Sequence, residues 1–151
     1  MRRIPPSVGI ATLALAAASG GIAWLTAEAG AGRPAWGQIA FAALLGALVL
    51  GGLLSRQRLA WLWGRSLALL LAVVQAVALG GAVLQGGPSS PATLALLAGV
   101  AAALLVAFVA LGRRSALAWF GLVCPACLTP SRTAADLLFR QARCRKCGNV
   151  W

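Results

Sequence analysis

The chain has 151 residues, 61% of them hydrophobic and only 10% charged, whereas a soluble globular domain carries about 25% charged residues. Thirteen Lys/Arg against two Asp/Glu leave a net charge of +11, bunched so that long uncharged apolar stretches separate the clusters. A water-soluble fold is excluded, and so are buried core helices of a larger soluble body, because there is too little polar sequence to cover four helices that are apolar all round.

A helix needs roughly 20 apolar residues to cross a hydrocarbon core of about 30 Å. Four stretches meet that length without a charged residue, 7–27, 35–54, 66–85 and 92–112. Arg2 and Arg3 before the first stretch, with small residues Ala16 to Ser19 inside it, also fit a cleavable signal peptide. Its apolar segment exceeds the 7–15 residues of a usual signal core, and Ile-Pro-Pro after Arg3 suits a twin-arginine signal poorly. A retained first span is therefore expected, giving residues 1–112 as a four-span transmembrane bundle.

The loop after the second span carries Arg56, Arg58, Trp61 and Trp63, and the segment after the fourth carries Arg113, Arg114 and Trp119. Shifted by 58 positions, Arg56 meets Arg114, Leu59-Ala60-Trp61 meets Leu117-Ala118-Trp119, and Gly30 to Pro34 meets Pro88 to Ala92. The spans therefore read as two tandem helical hairpins. Arginines at headgroup level and tryptophans in the interface predict short surface helices, Arg56–Gly64 and Arg113–Leu122, with these seven residues as interfacial anchors. Residues 113–121 form the linker to the tail.

Ionisable groups inside the spans would suggest transport, but the chain has no His and no Tyr, and Glu28 falls near an outer end. Gln75, in the third span, is expected to bond across to a neighbouring helix. Ala42/Gly46, Ala76/Gly80 and Gly51-Gly52 offer small-residue faces for close packing. No catalytic constellation is legible, and a non-enzymatic protein is expected.

Charge sets the expected orientation. Twelve of the thirteen basic residues, all but Arg33, fall on one side of a four-span chain. Basic loops resist translocation, so both termini are predicted in the cytoplasm, in an inner (cytoplasmic) membrane, with arginines meeting anionic headgroups. The four cysteines fall on that side too, where thiols stay reduced.

The tail, 122–151, holds Cys124-Pro-Ala-Cys127 and Cys144-Arg-Lys-Cys147-Gly148. Two C-x2-C pairs with 15–20 residues between them signal a zinc site. Four thiolates close a tetrahedral shell, which makes the zinc structural. Arg143, Arg145 and Lys146 offset its negative charge, and Gly148 permits a left-handed turn. Cys-Pro-x-Cys, Asp136-Leu137 and the ending Arg143-Cys-Arg-Lys-Cys-Gly-Asn-Val-Trp151 resemble the small prokaryotic zinc-ribbon family, the zinc finger/thioredoxin domains. The resemblance implies a small C-terminal β zinc ribbon around one Zn2+ on an otherwise all-α membrane protein, with Leu137, Leu138, Phe139, Val150 and Trp151 packing mostly under the metal.

The expected function is a membrane-anchored zinc-ribbon interaction or accessory module, bound to a protein partner or a larger membrane complex. One alternative is a membrane-tethered nucleic-acid-binding ribbon, with Arg140, Arg143, Arg145 and Lys146 in contact with the nucleic acid. The other is a thiol redox or metal-handling membrane protein, since Cys-Pro-x-Cys is also a thiol–disulfide pattern.

Overall fold

A computed structural model describes residues 4–29, 36–84, 90–130 and 143–150. Its elements are α1 (Pro6–Ala29), α2 (Trp36–Leu54), α3 (Arg58–Leu84), α4 (Pro91–Gly112) and α5 (Arg114–Trp119). Pro6 and Pro91 open α1 and α4, where a missing amide costs nothing. Ser90 caps α4, its hydroxyl accepting from the Thr93 amide at 3.2 Å. Helices are the form that lets apolar segments satisfy every backbone polar group without water.

Three helices, α1, α3 and α4, are long and apolar enough to cross a membrane, so the chain is a multi-pass membrane protein. The described apolar part of α2, Ala43–Leu54, is shorter, so among the described residues three helices reach spanning length where four spans are expected. The predicted surface helix Arg56–Gly64 is instead the start of α3. At 27 residues that helix is about 40 Å long and extends beyond one hydrocarbon thickness. By contrast, α5 is a separate short helix, because Arg113 adopts an extended backbone that ends α4.

The long helices form a ring in which α4 packs closely on α1 and α3, while α2 closes the other side more loosely. One core cluster joins Val8 and Ala11 of α1, Leu53 of α2, Trp61 of α3, Leu111 of α4, Leu117 of α5 and Leu122. The start of α1, the α2–α3 turn and the α4–α5 junction therefore share one end of the bundle, and ring neighbours run antiparallel. Above it, Ala18, Ala68, Ala72, Val100, Leu104 and Ala107 form a second cluster. Small residues let the backbones approach closely: a Cβ at Gly21 would collide with Val100, and one at Gly52 with Ala60. Among the expected small-residue positions, Gly51 and Gly80 meet nothing, and Gln75 has no hydrogen-bond partner among the described residues. Between α1, α2 and α3 lies an apolar cavity of about 450 Å³.

Among the described residues the expected β zinc ribbon is not present, and there the resemblance to the zinc-ribbon family fails on the fold. The described residues contain no strand. They contain two isolated antiparallel bridges, Val123 with Pro130 and Arg143 with Val150. Among the described residues the fold class is all-α, with a cysteine cluster in place of a sheet domain.

Candidate metal centre

The route from the membrane to the cysteines is set by how α5 ends. Gly121 takes a left-handed backbone, φ 66. Its amide bonds the Ala118 carbonyl at 3.1 Å, and the Leu122 amide reaches back to the Leu117 carbonyl at 2.8 Å. This is a Schellman termination, and its hydrophobic pair, Leu117 and Leu122, is fully buried at the end of the bundle. Cys124 lies two residues beyond this anchor.

The two knuckles have the same local architecture. Leu128 N–H donates to the Cys124 carbonyl and Gly148 N–H to the Cys144 carbonyl, each at 2.9 Å. Cys124 N–H donates to Thr129 at 3.0 Å and Cys144 N–H to Asn149 at 2.8 Å. The turn residues Leu128 and Gly148 both have positive φ, 54 and 74. Glycine suits that conformation, as its place after the second pair predicts.

All four sulfurs, of Cys124, Cys127, Cys144 and Cys147, lie within 4.8 Å of one another. Between knuckles, the sulfurs lie 3.6 Å apart for Cys124–Cys147 and 3.4 Å for Cys127–Cys144. Tetrahedral zinc with Zn–S near 2.3 Å places its sulfurs about 3.8 Å apart, whereas a disulfide brings them to about 2.05 Å. The spacing is that of a metal shell, and all four cysteines are free. Four thiolate donors, two from each knuckle, are consistent with a structural zinc site, and these residues would hold the ion.

The sulfurs differ in environment. Cys124 and Cys144 are buried, Cys127 is half-buried and Cys147 is exposed. The Thr129 hydroxyl, 3.2 Å from Cys127 Sγ, leads the interactions that lower the Cys127 thiol to about 6, joined by the Thr129 amide. For Cys124, desolvation raises the pKa but is outweighed by the amides of Cys127 and Ala126 and by Cys147, so the net shift is downward. The Asn149 amide favours the Cys147 thiolate, yet desolvation of its sulfur and the crowd of Cys144, Cys124 and Cys127 push it up to about 12. A metal arriving here displaces protons as it binds.

Of the basic tail residues, Arg143, Arg145 and Lys146 are exposed beside the cluster, while Arg140 lies outside the described residues. So do Leu137, Leu138, Phe139 and Trp151. Val150 is exposed and does not pack under the metal.

The aromatic residues read as interfacial anchors separate into two kinds. Trp63 is 60% exposed, but Trp61 is only 4% exposed. Its indole N–H donates to the Leu111 carbonyl at 2.9 Å, at the end of α4. Reciprocally, the Trp119 indole N–H donates to the Leu53 carbonyl at 3.4 Å, at the end of α2. Both tryptophans and both leucines lie 58 positions apart, the offset of the sequence repeat. Each tryptophan closes the other copy's helix end. Arg56 stacks over Trp119 at 3.8 Å, Arg65 lies 4.6 Å from Phe108, and Arg58 donates to the Gly121 carbonyl at 3.4 Å. Sequence reasoning finds the repeated aromatic residues but not these bonds.

Comparison with protein-family models, with curated proteins and with solved structures finds no match. The arrangement corrects the expected function: a β zinc-ribbon interaction module needs a β-stranded domain. What the chain carries is a four-cysteine cluster on a helical membrane protein, and such a cluster fits metal handling or thiol redox chemistry better.

Proposed function

We propose that this is a metal-handling membrane protein that holds zinc in a four-cysteine centre on the cytoplasmic face of the membrane. The observation that carries this reading is the gathering of Cys124, Cys127, Cys144 and Cys147 at metal spacing, with one buried and one more accessible sulfur from each knuckle. The accessible pair gives an incoming thiol or chelator a path to the ion, while the buried pair keeps the site shaped. Cytoplasmic placement is supported by the concentration of basic residues at that end and by the need for reduced thiols. In the same reading α2 serves as a fourth span, and Arg113, Arg114 and Trp63 lie at headgroup level.

Full-length protein purified anaerobically in mild detergent should contain about one zinc per chain by elemental analysis. A Cys144→Ser variant should retain less than half of it, since loss of one of four ligands opens the shell. Chelation should expose four thiols to alkylation that the loaded protein shields. A metal-free native preparation with oxidised cysteines would overturn the reading.

The cross-knuckle distances favour one specific second reading, thiol–disulfide exchange. Cys127 and Cys144 lie 3.4 Å apart and Cys124 and Cys147 3.6 Å, so oxidation in this reading would link sulfurs across the knuckles. Peptide mapping of the oxidised protein identifies those pairs.

A further inference from the structure

The outer face between α1 and α4 carries a groove of about 310 Å³ at the same end of the bundle as the metal centre. Its walls are apolar, formed by Ile10 of α1 and by Leu105, Val106 and Val109 of α4, and each of these side chains is about half exposed. Its end is polar, lined by Ser7 and Arg113. Ser7 Oγ pairs with Ser115 Oγ at 2.8 Å, which engages one hydroxyl hydrogen and leaves the other able to donate. Arg113 is exposed and sits where α4 stops. The chain has two acidic side chains against thirteen basic ones, and none of the described residues lining the groove is acidic.

An apolar slot along a spanning helix, closed at headgroup depth by a guanidinium and a hydroxyl pair, has the chemistry of an anionic phospholipid: hydrocarbon below, phosphate above. We propose that this groove binds one anionic phospholipid, its acyl chain along Ile10, Val106 and Val109 and its phosphate on Arg113, with a serine hydroxyl as second donor. A zwitterionic lipid fills the same slot but adds no net charge for Arg113 to meet. Selectivity therefore rests on one side chain, not on the overall positive charge.

The test uses the zinc-loaded full chain in mild detergent, offered phosphatidylglycerol and phosphatidylcholine with identical acyl chains, with retained lipid counted by native mass spectrometry. The expected result is one phosphatidylglycerol retained about fivefold over phosphatidylcholine, the scale of a single arginine at an anionic surface. R113Q should abolish the preference, R114Q should keep it, and V109W, which fills the slot, should reduce retention of both lipids while zinc content stays constant. If V109W does not fold, R113Q decides alone, since Arg113 is an exposed side chain. Equal retention of the two lipids by the unaltered protein would overturn the proposal. So would equal loss of preference in R113Q and R114Q, the mark of diffuse charge.

Discussion

Leu128 holds a left-handed backbone, φ 54, at the turn position that Gly148 fills in the second knuckle. An L-residue there costs roughly 1–2 kcal/mol, and the leucine side chain, 71% exposed, recovers little of it by packing. A knuckle of this kind takes its shape together with the metal, so strain in the turn is subtracted from metal affinity. Asparagine tolerates the left-handed region better than leucine. Leu128→Asn should therefore tighten zinc binding by about two- to fivefold, equivalent to about 0.5–1 kcal/mol, read by competition with a chromophoric chelator at fixed pH. Weaker binding would mean that the leucine makes a contact worth more than the strain. The ligands themselves are legible in the sequence, because only cysteine supplies thiolates and their spacing is diagnostic. The strained positions are not. Nothing in the identity of Leu128, or of Arg56 with φ 62 after α2, announces a conformation that glycine usually takes. It emerges from hydrogen bonds such as the one from Gln57 N–H to the Gly52 carbonyl at 2.9 Å.

At the scale of helices, the notable device is the exchange of tryptophans between the two hairpins. The last carbonyls of a helix have no partner inside it, and a buried one left unpaired costs about 1–3 kcal/mol. Trp61 meets this need at Leu111 with a short, buried bond, while Trp119 meets it at Leu53 with a longer, partly exposed one. Trp61→Phe should accordingly destabilise the bundle by about 2 kcal/mol and Trp119→Phe by less than about 1 kcal/mol, measured as thermal unfolding in detergent by circular dichroism. Equal losses would show that ring packing, not the indole N–H, sets the effect. The duplication is readable in the sequence because the polar and aromatic linkers repeat. The bonds are not readable, because each indole finds an acceptor at least fifty positions away, and an arginine–tryptophan segment reads equally well as an interfacial anchor. The same ambiguity hides the true start of α3. Gly64 looks like an end to a surface helix, but it lies against Val49, Leu53 and Leu111, and the helix runs through it.

For the molecule as a whole, the long apolar runs are legible because hydrocarbon imposes a length, whereas nothing in the cysteine spacing shows that the described knuckles stop at isolated bridges, Val123 with Pro130 and Arg143 with Val150. The bundle brings the start of α1, the α2–α3 turn and α5 to one end, and the tail leaves from that end. Leu117, Phe120 and Leu122 are buried in the core on the bundle side of the cysteines, so the metal centre hangs from a foundation that does not need the metal. Two consequences follow for chelation in membranes. Helical content should change little, because the helices keep their packing. The cysteines should become reactive to a membrane-impermeant maleimide in inside-out vesicles and stay silent in right-side-out ones, as the proposed cytoplasmic placement of that end requires. Mass spectrometry counts the labels, up to four per chain, and circular dichroism follows the helices. Labelling of right-side-out vesicles would mean that the positive charges do not orient the bundle. A large loss of helix on chelation would mean that the foundation at Leu122 depends on the metal it carries.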